Sequence, residues 1–174
     1  GTLRMWKATS ILNPDPDSTM SSISAIVITC NEERRIQACL ESIQWVDEIV
    51  VVDSGSTDKT VEIARSLATK VIASEWLGFA GTKSLAVEHT SCEWIFWIDA
   101  DEEAPKQLAE EIRSCTTQND GISGYLIPRK AIFLGKWIRH CGWYPGYVYR
   151  LFLRDHAAFD EKLVHESVQV NGKT

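Results

Sequence analysis

Four carboxylates follow a strongly apolar run in the stretch WIFWIDADEEAP, residues 94–105. The apolar residues 94–98 predict a strand covered on both faces, as in the interior of a parallel sheet. The acids after it are Asp99, Asp101, Glu102 and Glu103. Ligands of open α/β sheets bind beyond the carboxyl ends of the strands, so these acids are candidates to face a ligand. The alternative is a solvated acidic helix start, favoured by the helix dipole, with Pro105 in its first turn.

Two more polar clusters follow predicted strands, TCNEE at 29–33 and DSGSTD at 53–58. Because the carboxyl ends of parallel strands lie at one edge of a sheet, we expect all three clusters to meet there. Each has a structural explanation on its own: Asn31 and Ser56 can cap helices, Gly55 can supply a turn, and Asp53 can be a turn acid. Their joint occurrence favours a binding site.

Strands and helices alternate along the chain. The predicted elements are a strand at 23–29, a helix at 32–43 capped by Asn31, a strand at 47–53, a helix within 54–68, a strand at 70–74, a helix at 80–90 and the strand at 94–98. This order predicts an α/β fold with a parallel sheet, right-handed crossovers and helices on both faces. Such a sheet forms a nucleotide-sized crevice at its carboxyl edge.

Composition excludes several classes of protein. The chain has 174 residues and a formal net charge of −6, which predicts one domain and argues against a nucleic-acid binder. The five cysteines form no C-x-x-C pair, as expected for reduced thiols in the cytoplasm. No apolar stretch is long enough to span a membrane, so we expect any membrane contact to be peripheral. No G-x-G-x-x-G follows the first strand and no P-loop occurs, which disfavours nicotinamide enzymes and P-loop ATPases.

The two ends of the chain read differently from its middle. Residues 1–22 are polar and turn-rich, and we interpret them as a poorly ordered leader or tag. Residues 23–174 are predicted to form one domain. The final QVNGKT stops in an apparent strand and turn, which suggests a domain truncated at its C-terminus.

Four blocks in order resemble the family 2 glycosyltransferases, which have a GT-A fold. They are ISAIVITCNEERRIQACLESI, VDEIVVVDSGSTDKTVEIA, WLGFAGTKSLAV and WIFWIDADE. Later, GWYPGYVYRLFLR and VHE resemble the branch of lipopolysaccharide-core β-glucosyltransferases. The resemblance covers roughly residues 23 to 168. The branch has an acid after the Tyr-Pro pair, where this chain has Gly146.

The resemblance implies a Rossmann-like, mostly parallel sheet with a mixed β region on the acceptor side. It also implies an inverting enzyme that moves a sugar from a nucleotide-diphosphate sugar, such as a UDP-hexose, to a saccharide or glycolipid of the cell envelope. Mn²⁺ or Mg²⁺ suits carboxylate ligands and a diphosphate leaving group. Two alternatives stay open: a non-catalytic nucleotide-binding α/β module, and a sugar-nucleotide pyrophosphorylase, although TCNEERR lacks the glycine-rich loop expected of the latter.

The resemblance also implies roles for individual residues. Asp101 and His165 are expected to hold the metal, and Glu166 to act as the general base, with His165 as the alternative base. The nucleotide-binding residues are expected to be Thr29, Asn31, Glu32, Asp53, Lys83 and Asp99. For Lys83 the alternative is a solvated lysine on an exposed helix face.

The segment 129–154 reverses the acidic character of the chain. It carries six basic residues and no acid, interleaved with aromatic residues. Aromatic rings stack on sugars and basic side chains meet anionic headgroups, so we predict a site for an anionic glycolipid at the inner membrane face, with Trp143, Tyr144 and Arg150 in contact with the acceptor. A nucleic-acid surface or an ordinary β-rich subdomain would use the same residue types.

Overall fold

The computed structural model describes residues 21–118, 121–129, 132–133, 136–137, 146–159 and 168–174. The predicted leader therefore lies outside the described residues, except for its last two positions. Four predicted site residues also lie outside them: Trp143, Tyr144, His165 and Glu166.

The described residues form helices and strands in the predicted alternation. The helices are α1 Ile36–Ser42, α2 Thr60–Leu67, α3 Gly78–Glu88 and α4 Lys106–Thr116. The strands are β1 Ile23–Thr29, β2 Glu48–Asp53, β3 Lys70–Ala73, β4 Trp94–Trp97, β5 Gly124–Arg129, β6 Ile132–Phe133, β7 Lys136–Trp137, β8 Gly146–Leu153, β9 Ala157–Phe159 and β10 Val168–Val170. No helix in these ranges is both long and apolar enough to cross a bilayer.

Six strands form the main sheet, in the order β3-β2-β1-β4-β8-β5. The first four are parallel, whereas β8 is antiparallel to β4 and to β5. This confirms the mostly parallel α/β fold. Strands β2 and β3 extend the sheet to one side of β1 and β4 extends it to the other, so the carboxyl ends of β1 and β4 flank a topological switch point, the place where such sheets bind ligands.

Helices cover both faces of this sheet, as predicted. On one face, α1, α2 and α4 pack against alternate residues of β1, β2 and β4, including Val27, Val51 and Phe96. On the other face, α3 packs against the intervening residues, including Ile26, Val50 and Trp97. All of β2 is buried, which explains its continuous apolar run. Each fully buried Val or Ile side chain stabilises the fold by about 1.5–3 kcal/mol.

The helix starts differ from the predicted ones. Helix α1 begins at Ile36, not near Glu32, and Asn31 does not cap it: its φ of 54° is left-handed, whereas an N-cap residue is extended. Helix α3 begins at Gly78, two residues earlier than predicted. Pro105 lies immediately before α4 instead of in its first turn. Local helix propensity predicts that these helices exist more accurately than it predicts where they begin and end.

Candidate functional site

Asp53 organises the loop after β2. Its side chain is buried, and its Oδ2 accepts hydrogen bonds from the backbone N–H groups of Gly55, at 3.1 Å, and Ser56, at 3.0 Å. The Ser56 hydroxyl donates to its Oδ1. Gly55 has a φ of 88°, a conformation that glycine adopts without strain. The carboxylate therefore holds a tight turn at the carboxyl end of β2.

The loop after β1 is tied to that turn. The backbone N–H of Asn31 donates to Ser56 Oγ, at 2.8 Å, and its Oδ1 accepts from the backbone N–H of Thr57, also at 2.8 Å. The backbone N–H of Glu32 donates to Thr60 Oγ1, at 2.8 Å. Since Thr29 is paired with Asp53 across the sheet, the predicted nucleotide-binding residues on these two strands lie together.

Buried polar atoms without a hydrogen-bond partner concentrate at this edge. Among the described residues they are Thr29 Oγ1, at the end of β1, Ser54 Oγ, directly after β2, and Arg150 Nε, on the strand beside β4. A buried polar atom left unsatisfied costs about 1–3 kcal/mol. Such atoms mark a place where a ligand can supply the missing partners.

Asp99 lies at the end of β4 and is held by two side chains. Trp97 Nε1 donates to its Oδ1, at 3.0 Å, and Arg150 Nη2 donates to its Oδ2, at 2.8 Å. Burial alone would raise the pKa of the Asp99 carboxyl, but the charges of Arg150 and Lys83 and the Trp97 hydrogen bond outweigh it and hold the pKa below its usual value. Asp99 is therefore ionised at neutral pH.

Of the three other acids of this stretch, Glu102 is inner, whereas Asp101 and Glu103 are exposed. Glu102 is inner: its Oε2 accepts from the backbone N–H of Asp99, at 3.1 Å, and its Oε1 accepts from Arg150 Nη2, at 3.0 Å. Asp101 is outer, with half of its side chain exposed and its Oδ2 3.3 Å from Arg35 Nη1. Asp101 can therefore reach a ligand from outside, whereas Glu102 is engaged within the protein.

Lys83 and Arg150 both lie over the ring of Trp97. Lys83 Nζ is 3.5 Å and Arg150 Cζ is 4.2 Å from a ring centroid. Lys83 is only 3% exposed, so the alternative of a solvated surface lysine is wrong. Its charge acts on Asp99, which places it with the strand-end acids; the predicted contact with the nucleotide stays a prediction.

The sequence predicts that Arg150 contacts the acceptor. In the structure its guanidinium is buried against Asp99 and Glu102. Sequence reasoning missed this network, although one signal was available: Arg150 is a charged residue inside the apolar run of β8, and a fully buried arginine is almost always paired.

A divalent metal fits this site in one specific way. Within the described ranges, no three His, Cys, Asp or Glu side chains converge to form a metal cluster. Mg²⁺ is often held by only one or two carboxylates, together with waters and substrate phosphates. The exposed carboxylate of Asp101 fits that mode, with His165, the other predicted ligand, outside the described residues.

A mostly parallel sheet with polar loops at its switch point is typical of nucleotide-binding α/β folds. The model of the family "Glycosyl transferase family 2" matches residues 24–159. The chain therefore belongs to glycosyl transferase family 2.

Individual relatives agree with this family. The lipopolysaccharide core biosynthesis glycosyltransferase LpsC of Rhizobium meliloti (strain 1021) is 34% identical over 161 residues, which cover 86% of this chain and 58% of LpsC. An uncharacterized glycosyltransferase of Rickettsia bellii (strain RML369-C) is 52% identical over 91 residues, covering 52% of this chain and 31% of that protein. The chain thus spans only part of the length of both relatives.

A solved structure shares the fold. The glucosyl-3-phosphoglycerate synthase of Mycobacterium tuberculosis, in complex with Mn²⁺, UDP and glucosyl-3-phosphoglycerate, has a TM-score of 0.51 and 27% sequence identity. The match covers 60% of this chain and 42% of the synthase chain.

Proposed function

We propose that this domain is the donor-binding part of an inverting hexosyltransferase that moves a sugar from a UDP-hexose to a saccharide or glycolipid acceptor in cell-envelope polysaccharide synthesis. The observation that carries this proposal is the meeting of the β1, β2 and β4 loops at the switch point, where Thr29 and Ser54 hold unsatisfied hydroxyls. The role of LpsC in lipopolysaccharide core biosynthesis and the UDP bound by the mycobacterial synthase support it.

The donor nucleotide would occupy the crevice between these loops. Asn31 and Asp53 hold the two loops in shape, and the Thr29 hydroxyl is available to the base or ribose. Asp99 is ionised and can accept from a ribose hydroxyl, while the buried charge of Lys83 favours an anionic ligand. Glu32 lies beside them, paired with Arg35.

Asp101, with His165, would hold a divalent cation at the diphosphate. Bound there, Mn²⁺ or Mg²⁺ would neutralise charge that develops on the leaving diphosphate. Arg35 Nη1 lies 3.3 Å from Asp101, and Arg35 is also paired with Glu32. When a cation binds the Asp101 carboxylate, Arg35 would contact the donor phosphates or keep only its pair with Glu32.

The proton of the acceptor hydroxyl would pass to Glu166, with His165 as the alternative base. Glu166→Gln should bind UDP like the parent yet transfer sugar about 10²- to 10⁴-fold more slowly, the usual contribution of a positioned base. Transfer at the parental rate in the full-length protein would exclude Glu166 as the base.

The acceptor would meet the basic and aromatic segment 129–154, including Trp143 and Tyr144. An anionic glycolipid acceptor would bring the enzyme to the inner face of the membrane as a peripheral protein. The four cysteines within the described part of the chain are free thiols, which is consistent with the proposed cytoplasmic location.

Calorimetry with UDP and a panel of UDP-sugars, with and without Mn²⁺, tests the donor site. Asp101→Asn should lose the Mn²⁺-dependent gain in affinity and keep metal-free UDP binding, whereas Asp53→Ala should weaken UDP binding in both conditions by about tenfold or more, since it releases the β2 turn. Asp155→Asn, an exposed acid, is the matched control. If the parent protein bound neither UDP nor any UDP-sugar, the proposed function would be wrong.

A further inference from the structure

Arg150 is an unusual residue for its position. It lies in the middle of β8, next to the fully buried Leu151 and Phe152, and is itself only 3% exposed. Burying a guanidinium is strongly unfavourable unless the charge is paired and hydrogen-bonded. The contacts of Arg150 therefore indicate what its burial accomplishes.

These contacts lie with two strand-end acids and with Trp97, the last residue of β4. Arg150 Nη2 is 2.8 Å from Asp99 Oδ2 and 3.0 Å from Glu102 Oε1, and Nη1 donates to the backbone carbonyl of Trp97 at 3.4 Å. The guanidinium thus joins both ends of the turn 99–102 to the end of β4.

The same turn is closed by its own hydrogen bonds. The backbone N–H of Asp99 donates to Glu102 Oε2, at 3.1 Å, and the backbone N–H of Glu102 donates to the Asp99 carbonyl, at 3.0 Å. Inside the turn Ala100 is buried, and Asp101 is exposed toward solvent. Holding Asp99 and Glu102 in place therefore fixes where the carboxylate of Asp101 points.

Opposite charges meet in this cluster. Two cations, Lys83 and Arg150, lie over Trp97, and two carboxylates, Asp99 and Glu102, are paired with Arg150. Without Arg150 the two carboxylates would lose the cation that pairs with both of them, and the repulsion between these like charges would favour an opened turn.

We propose that Arg150 is a positioning residue of the transfer reaction: it locks the turn 99–102 in the conformation that presents Asp101 to the diphosphate of the donor. This role depends on the proposed function and replaces the acceptor contact predicted for Arg150. Small displacements of a positioned group cost about 100-fold in enzyme reactions, so the turn does not need to unfold for the effect to be large.

The first experiment compares Arg150→Met and Arg150→Lys with the parent and with Arg65→Met, a control at an exposed arginine of α2. Calorimetry should show that Arg150→Met reduces the Mn²⁺-dependent gain in UDP affinity, the ratio of the affinities with and without Mn²⁺, by about tenfold or more. Metal-free UDP affinity should fall by a smaller factor, because Asp99 also loses its partner. Arg150→Lys keeps the positive charge but loses the planar guanidinium, so it should restore part of the Mn²⁺-dependent gain in UDP affinity.

Other roles for Arg150 predict other results. A purely structural role would lower UDP affinity by the same factor with and without Mn²⁺ and leave the Mn²⁺-dependent gain unchanged. An acceptor contact would leave Mn²⁺-dependent UDP binding at the parental level and raise the KM for the acceptor in the full-length protein. Either result would overturn the positioning role.

Hydrogen exchange followed by mass spectrometry tests the turn without any ligand. In Arg150→Met the amides of Asp99 and Glu102 should exchange about tenfold faster or more, while peptides of β1 and β2 keep the parental rates. Unchanged exchange in the turn would overturn the inference, whether or not Mn²⁺ changes UDP binding by the parent. A parent without metal-dependent binding would instead count against the metal assignment in the proposed function.

Glu102→Gln tests the same inference if Arg150→Met fails to fold. It preserves the shape of the side chain and removes only the charge paired with Arg150. We expect the same defect at smaller size, and a non-additive effect in the double variant, because the two residues act through one turn. A parental Mn²⁺ effect together with parental exchange in Glu102→Gln contradicts the inference.

Discussion

The side-chain carbonyl of Asn31 accepts a hydrogen bond from the backbone N–H of Thr57, at 2.8 Å, and so joins the loops that follow β1 and β2. Its backbone N–H donates to Ser56 in the same loop, at 2.8 Å. Asn31 makes these bonds from a left-handed conformation, with a φ of 54°. One residue therefore sets the distance between two walls of the proposed donor crevice.

Two substitutions separate the conformation of Asn31 from its hydrogen bond. Asn31→Gly and Asn31→Ala both lose the side-chain bond to Thr57. Glycine adopts the left-handed conformation without strain, whereas alanine keeps a Cβ there, at a cost of about 1–2 kcal/mol relative to glycine. Urea unfolding should therefore show Asn31→Ala to be less stable than Asn31→Gly by about 1 kcal/mol. Both variants should bind UDP about tenfold more weakly than the parent, because the side-chain hydrogen bond to Thr57 is gone in each. Equal stability of the two variants would show that the left-handed conformation is not retained.

Two cysteines near the site should differ sharply in reactivity. Cys39 is buried under the acidic turn, its Sγ donates to the Asp99 carbonyl at 3.4 Å, and burial with the nearby acids raises its pKa to about 12. Cys30 is exposed beside Asn31, at the mouth of the proposed crevice. A maleimide reagent at pH 8 should therefore label Cys30 and spare Cys39 in the folded protein, because the thiolate is the reactive form.

Peptide mapping by mass spectrometry measures this labelling. Saturating UDP should slow the labelling of Cys30, and Cys30→Ser should remove it. The half-buried Cys115, near the end of α4, serves as an internal reference that UDP should not protect. Labelling of Cys30 at the same rate with and without UDP would place the nucleotide away from the β1 loop.

A buried acid at the opposite end of the sheet should make stability depend on pH. Glu48 Oε2 accepts from Ser24 Oγ, at 2.6 Å, and from the backbone N–H of Ser91, at 2.7 Å, while Oε1 accepts from Lys70 Nζ at 2.9 Å. Burial raises its pKa, but these hydrogen bonds and the charge of Lys70 outweigh that effect and hold the pKa below its usual 4.5.

Because the folded pKa is depressed, ionised Glu48 stabilises the fold above the unfolded pKa, and this stability is lost as pH falls through the folded pKa. Glu48→Gln should lower the free energy of unfolding at pH 7 by about 2 kcal/mol, and the difference from the parent should shrink once pH falls below 4.5. Urea unfolding at several pH values measures it, with the exposed Glu111→Gln as the control. A difference that stays constant from pH 7 down to acid pH would contradict the role of the charge.

Much of the fold could be predicted from sequence because its signals are local. The apolar run of β2 reflects burial on both faces, and the alternation of strands and helices requires a parallel sheet. The polar clusters at 29–33, 53–58 and 99–103 then had to share one edge, since parallel strands end on the same side. The predicted start of α1 is wrong because Asn31 accepts a hydrogen bond from Thr57, in the loop after β2, instead of capping the helix. No local sequence pattern reveals this contact.

The sequence by itself determined the sheet, its helices and the edge at which the polar residues gather, because periodicity and chain direction follow from the order of residues. Only the tertiary structure decided which of the strand-end acids are held inside and which face out. Arg150 lies 51 residues beyond Asp99, and it reaches that acid because β8 enters the sheet antiparallel beside β4. The pairing of a buried guanidinium with Asp99 and Glu102 leaves Asp101 exposed, and such pairing depends on which strands become neighbours, a long-range outcome that residue spacing does not encode.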